Sequence, residues 1–205
     1  MGCESSILPN VGFELWDNDN PGYPDEYAVD PTPDSVDKEA VVVHGGVYSA
    51  KVTDGYIYTY DDLPATLSIY TLDFWYNCNV DGAWFGLFFY DGIKSYGLNA
   101  DGLWTSGPVG FIEIDLPQTS GWVNYKMTVN ATSLDLGAPT FIQVAFGMEN
   151  KGNSAYFDDA CLYLKEGVEG DAVIECGDNK DFKLDILRRC VRTDGTNYYL
   201  VVSHA

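Results

Sequence analysis

Positive charge is scarce in this chain. Of its 205 residues, 11 are Lys or Arg against 31 Asp or Glu, a net charge of −20. Affinity for nucleic acid comes largely from Lys and Arg neutralising phosphates, so the balance argues against a nucleic-acid partner. It leaves divalent cations, neutral glycans and basic surfaces, or simple solubility. Histidine is rarer still: His44 and His204 cannot supply a His-based metal centre at a sensible spacing. No run approaches the roughly 18 consecutive apolar residues needed to cross a bilayer as a helix. "MGCESSILPN" lacks the basic start and apolar core of a signal peptide. Met1-Gly2 with Ser6, and Cys3 beside them, fit only a loose lipidation pattern that chance often matches. The five cysteines, at 3, 78, 161, 176 and 190, form no C-x-x-C, which excludes a zinc-ribbon frame and a dense disulfide scaffold. Nucleophile-elbow, P-loop and dinucleotide-binding glycine patterns are missing too, so catalysis finds little support. The neighbouring acids Asp61-Asp62 and Asp158-Asp159 are what so acidic a chain produces by chance.

Aromatics are plentiful: 15 Tyr, 10 Phe and 5 Trp within 46% hydrophobic residues, enough to bury a core. Helical periodicity is absent from the first 165 residues, where Gly, Asn, Asp and Pro clusters separate short alternating runs. In "LDFWYNCN", Leu72, Phe74, Tyr76 and Cys78 share one face, and Asp73, Trp75, Asn77 and Asn79 the other. Residues 141–148 place Ile142, Val144, Phe146 and Met148 on an apolar face with Gln143 opposite, and 123–129 alternate likewise. Such half-buried strands belong to antiparallel sheets with one wet face, and many in succession predict an all-β sandwich or jelly roll. "AWFGLFFY" at 83–90 is apolar on both faces. If Phe85, Leu87 and Phe89 point inward, Trp84, Phe88 and Tyr90 need cover from a ligand, a partner or a loop. Tyr56, Tyr58 and Tyr60 also gather on one side.

Residues 166–205 change character and form a small extension that is β-rich in one reading. Asp194-Gly195 signals a hairpin, while a short amphipathic helix over 182–191 is the alternative. About 40 residues are marginal as an independent core, so this segment is expected to pack on the main domain or on another subunit.

Two features touch on metals. "NVGFELWDNDNPGYP" crowds acids before a glycine, with Asp17, Asp19 and Gly22 at the first, third and sixth positions of an EF-hand loop. Pro21 and Ala28 stand at its fifth and twelfth positions, and the loop fails without its closing glutamate. In "AYFDDACLYL", alternation predicts that Tyr156, Asp158, Ala160 and Leu162 share the core-facing side. A carboxylate there should be neutralised, paired or metal-bound, because burying a bare charge is costly. A hard cation is one reading and a solvated strand end the other.

"NVGFELW", "VHGGVYSAKV", "GWVNYKMTV" and "AYFDDACLYL" follow one another in an order that resembles the galactose-binding-like jelly-roll carbohydrate-binding modules attached to xylanases and glucanases, a fold also met in phage structural proteins. The resemblance covers about residues 8–165 and implies an all-β jelly-roll β-sandwich. It implies a structural Ca²⁺ held by Glu14 and Asp158 with the carbonyls of Gly12 and Val47, although His44 stands where some members carry another acid. It also implies glycan binding on an exposed sheet face. Asp73, Trp75 and Asn77 suit that role, with Trp84, Phe88, Tyr90 and Gln143 extending it; packing under loops or in a subunit contact is the alternative. Trp104 and Trp122, flanked by turn residues, are expected to be structural anchors. The sequon Asn130-Ala131-Thr132 is expected to be a chance match.

The expected role is therefore non-catalytic recognition or assembly, in the virion or outside the cell. A chain starting at Met without a signal or a catalytic domain favours a virion component, such as a capsid decoration or fibre protein, which can form a homo-oligomer. The alternative is a soluble module of a polysaccharide-degrading system.

Overall fold

The computed structural model describes residues 6–16, 23–30, 35–60, 63–107 and 110–164. The extension 166–205, with its hairpin and helix alternatives, lies outside them, as do Asp17, Asp19 and the first five residues. The described chain is all β, two antiparallel sheets packed as a sandwich. In chain order the strands are β1 (Tyr27–Asp30), β2 (Val36–Glu39), β3 (Ser49–Thr53), β4 (Gly55–Thr59), β5 (Leu63–Ala65), β6 (Ile69–Asn77) and β7 (Ala83–Tyr90). They continue with β8 (Ser95–Leu98), β9 (Trp104–Ser106), β10 (Ile114–Asp115), β11 (Val123–Asn130), β12 (Thr140–Met148) and β13 (Ser154–Leu164). No described helix is long and apolar enough to cross a membrane.

The larger sheet runs β1-β4-β12-β7-β8-β9, with β5 beside β12 and β10 beside β7; the smaller runs β11-β6-β13-β3-β2. The alternation read from the sequence decides which side chains meet between them. From the small sheet come Leu72, Phe74, Tyr76 and Phe157, and from the large one Phe85, Leu87, Phe89, Ile142, Val144, Phe146 and Met148, all buried. Their rings interlock across the sandwich. Phe74 lies 5.0 Å from Phe146 and 5.6 Å from Phe85, centroid to centroid, and Phe146 lies 5.2 Å from Phe157. Each such side chain contributes about 1.5–3 kcal/mol by leaving water, which makes this layer the main source of cohesion.

The N-terminal segment completes the small sheet. β3 pairs with β13 only over Ser154–Phe157. Beyond that point Ala160 N–H donates to the Val11 carbonyl and Ile7 N–H to the Leu162 carbonyl, both at 2.7 Å. Buried Phe13 then inserts beside Tyr27, 5.2 Å between centroids. "NVGFELW" is thus a clasp along the last strand, which explains why it carries so many apolar residues near the chain start.

β13 departs from simple alternation. Its register against β6 slips between Asp158, opposite Trp75, and Cys161, opposite Asp73. A β-bulge inserts one extra residue, and Asp159 takes a left-handed φ of 48° to accommodate it. Asp158 therefore does not share a face with Ala160 and Leu162, contrary to the sequence expectation. It points outward with Tyr156, and is nonetheless fully buried.

Candidate functional site

What buries Asp158 is the turn between β2 and β3. His44 and Gly45 donate their backbone N–H groups to Asp158 Oδ2 at 2.9 and 3.0 Å, and Asp159 N–H donates to Oδ1 at 2.8 Å. Glu14 grips the same turn, its Oε1 accepting from Val47 N–H at 2.7 Å and Tyr48 N–H at 3.2 Å. Asp159 completes the latch with a 2.7 Å contact to His44 Nδ1. Burial pushes the Asp158 carboxyl up to about 6; the three N–H donors pull it down, and the Asp159 charge adds to the rise. The partner missing from the sequence reading is the backbone itself.

The residues that the resemblance assigns to calcium converge on this turn, whose N–H groups meet both carboxylates. Val47 donates its N–H to Glu14, a bond that does not involve its carbonyl. Gly12 lies against the Glu14 and Asp159 side chains. Among the described residues no three His, Cys, Asp or Glu are grouped to hold a metal.

The latch also decides the fate of one sheet face. It lays the His44 imidazole flat on the Trp75 indole, 3.8 Å between centroids and 15° from parallel, with Trp122 edge-on to the imidazole at 5.7 Å. Neighbouring Asp73 accepts from Asn124 Nδ2 at 2.7 Å and from Lys126 Nζ at 2.9 Å, and Asn77 faces Thr119 Oγ1 at 3.5 Å. Trp75 is capped and its polar neighbours are committed. Moreover, Asp73, Trp75 and Asn77 lie on the outer face of the small sheet, whereas Trp84, Phe88, Tyr90 and Gln143 lie on the outer face of the large one. The two sets cannot form one continuous surface, because the sandwich stands between them.

The large sheet's outer face is built from the register of β4, β12 and β7. Tyr56 and Tyr58 stand opposite Gly147 and Ala145, which in turn face Trp84 and Gly86; Gln143 faces Phe88, and Phe141 faces Tyr90. Gly147 and Gly86 are small for a reason. A Cβ at Gly147 would lie 2.2 Å from Trp84 Cε2, and one at Gly86 would lie 2.8 Å from Phe111 Cβ. Trp84 is buried by this packing, while Phe88, Tyr90 and Gln143 remain half-exposed. Tyr56 donates to Asp30 Oδ2 at 2.6 Å, and burial followed by that bond holds its phenol above the ordinary range.

At the β7–β8 end this face opens into a hollow of about 620 Å³, lined by Phe88, Tyr90, Lys94, Ser95, Ser106 and Asp135 among others. Its rim is well anchored. Asp91 Oδ1 accepts from Ile93 N–H at 2.8 Å and Lys94 N–H at 2.7 Å, and Oδ2 accepts from Gly137 N–H at 2.6 Å. Those bonds hold the Asp91 carboxyl down at about 2. Lys94 Nζ pairs with Asp135 across the opening. At the other end a smaller hollow of about 350 Å³ touches Tyr56, Trp84, Glu113 and Glu149. Burial, and then the Glu149 carboxyl beside it, raise Glu113 to about 7. Trp104 anchors the far edge as expected, with its Nε1 donating to the Asn130 carbonyl at 2.7 Å. Phe111 and the Asp91 turn escaped the sequence reading, since a residue in a turn-rich stretch shows no period.

No family model matches the chain, and no curated protein does. Solved structures match in fold. A region of the enzymatically active domain of bacteriophage CBA120 tailspike protein 4 superposes with a TM-score of 0.53 at 11% identity, over 80% of this chain and 22% of that one. TmCBM61, solved in complex with β-1,4-galactotriose, gives 0.49 at 17% identity over 78% and 99% of the two chains. The CBM22-1 xylan-binding domain of Paenibacillus barcinonensis Xyn10C gives 0.48 at 11% over 80% and 97%. At such identities the likeness is one of fold alone, a β-sandwich.

Two outcomes follow from the latch. The native Asp158 carboxyl titrates above its ordinary value of 3.8, so between pH 4 and 6 the folded state holds more protons than the unfolded one. Its contribution is therefore full below about pH 4 and declines as pH rises through about 6. Urea midpoints measured across this window should fall more steeply in the wild type than in Asp158→Asn. The calcium that the resemblance implies has its own readout in the melting temperature: a rise with added calcium and a fall with EDTA support the shell, and no change with either leaves the N–H donors as the whole latch.

Proposed function

We propose that this protein is a non-catalytic glycan-binding module whose recognition surface is the outer face of the large sheet. The observation that carries this reading is the hollow beside β7 and β8. Phe88 and Tyr90 give it ring surface, while Ser95, Ser106 and the Tyr90 hydroxyl supply polar groups at its walls. A sugar needs both, since its ring presents C–H groups on its faces and hydroxyls around its edge. The volume falls within the roughly 300–1,000 Å³ usual for small-ligand sites. Gln143, between the aromatic rows, adds an amide at the surface, its Nε2 reaching the Thr59 carbonyl at 3.4 Å.

The two readings set out from the sequence change places. A half-open aromatic hollow suits a small ligand. The likeness to a tailspike region is one of fold and names no role for this chain. Cys161 is disulfide-bonded. Disulfides persist in oxidising surroundings, which supports a place of work outside the cell.

A glycan array followed by calorimetry on the glycans it retains tests this reading. Phe88→Ala and Tyr90→Ala should each weaken binding about tenfold or more, equivalent to about 1.4 kcal/mol. Trp75→Ala, on the opposite face under His44, should leave affinity within about twofold. Loss of binding in Trp75→Ala alone, with melting unchanged, would move the surface to the small sheet.

A further inference from the structure

The outer face of the large sheet is divided. Gly86, Ala145 and Gly147 would leave a continuous trough between the tyrosines of β4 and the aromatic row of β7, because none of them raises a side chain beyond a methyl group. Phe111 lies in that trough. Its Cβ and Cδ1 sit 2.8 and 3.0 Å from where a Gly86 Cβ would stand. Its ring reaches both walls, with centroids 6.0 Å from Phe88, 6.2 Å from Tyr58 and 6.3 Å from Tyr56. Trp84 fills the adjoining space over Gly147. Among the described residues the two hollows share no lining residue: Gly107 lies on the rim of the larger and Glu113 on the rim of the smaller. Phe111 follows Gly107 and precedes Glu113 in the chain.

We propose that Phe111 closes the trough at its middle, so that the larger hollow receives the end of a glycan chain while a polymer's interior cannot lie across the sheet. This rests on the glycan reading above and specifies its ligand class. A ligand entering beside Phe88 and Tyr90 meets the Phe111 ring after a short distance. Further sugar units would extend away from Phe111, outward over the Asp91–Lys94 turn. Affinity should then saturate at short chain length. Binding to a polysaccharide should follow the number of its chain ends rather than its mass.

The test is calorimetry of wild type and Phe111→Ala against cello-, xylo- and β-1,4-galacto-oligosaccharides of two to six units, together with the matching polymers. Phe111→Leu serves if the alanine variant does not fold, since leucine keeps an apolar anchor but not the breadth of the ring. Wild-type affinity is expected to level off by about three units. The variant should gain about tenfold between two and six units and should begin to retain polymer. A wild-type affinity that climbs steadily to six units, or a length profile that Phe111→Ala leaves unchanged, overturns the proposal while leaving the glycan reading standing. Silence of both proteins toward the whole panel overturns the glycan reading, and this inference with it.

Discussion

Everything on the outside of this sandwich depends on how one buried carboxylate is satisfied. Asp158 sits at a β-bulge where alternation would have turned it inward, and it is saved from isolation by N–H groups of His44, Gly45 and Asp159. A buried charge without such donors is costly, so the turn between β2 and β3 cannot drift from β13 without exposing that cost. Glu14 holds the other half of the turn, and its own segment is clasped along β13. Sequence-distant pieces at 6–16, 42–48 and 155–164 are thereby fixed as one unit. The consequence at the surface is that His44 is pressed onto Trp75 and the small sheet's outer face is closed at that point.

With that face closed, the large sheet is left to present aromatic surface to solvent. Its two sides do different work. The inner rings of Phe85 and Phe146 interlock with Phe74 and Phe157, and truncating such a residue typically costs about 3–5 kcal/mol. The outer side combines glycines and alanine in the floor with tyrosines and phenylalanines along the walls. Rings placed over glycine can lie flat and close, which is how Trp84 becomes buried on a nominally exposed face. Phe88 and Tyr90, farther along β7, have no such cover and keep part of their surface in water.

Much of this was legible in the residues. The alternation of "LDFWYNCN" and of 141–148 placed the core residues on the correct faces, and the four ordered motifs pointed to the sandwich. Which outer faces belong together was not legible, because alternation assigns a side to a residue but does not say which sheet its strand joins. Trp75 and Phe88 looked like parts of one surface for that reason. The bulge was invisible for another: Asp158-Asp159 reads as ordinary alternation until the register slips, and the donors that satisfy Asp158 are backbone groups that every residue carries. Phe111 left no trace either, since its importance comes from the missing Cβ of Gly86 beneath it, a contact that its own turn-rich stretch does not encode.

The most direct measurement of the central claim, that recognition belongs to the large sheet, is a two-dimensional amide NMR titration with a glycan retained on an array. Shift changes should concentrate at Phe88, Tyr90, Ser95, Ser106 and Gln143, with the Trp75 and His44 amides unmoved. Changes centred on Asp73, Trp75 and Asn77, with β7 silent, would contradict it.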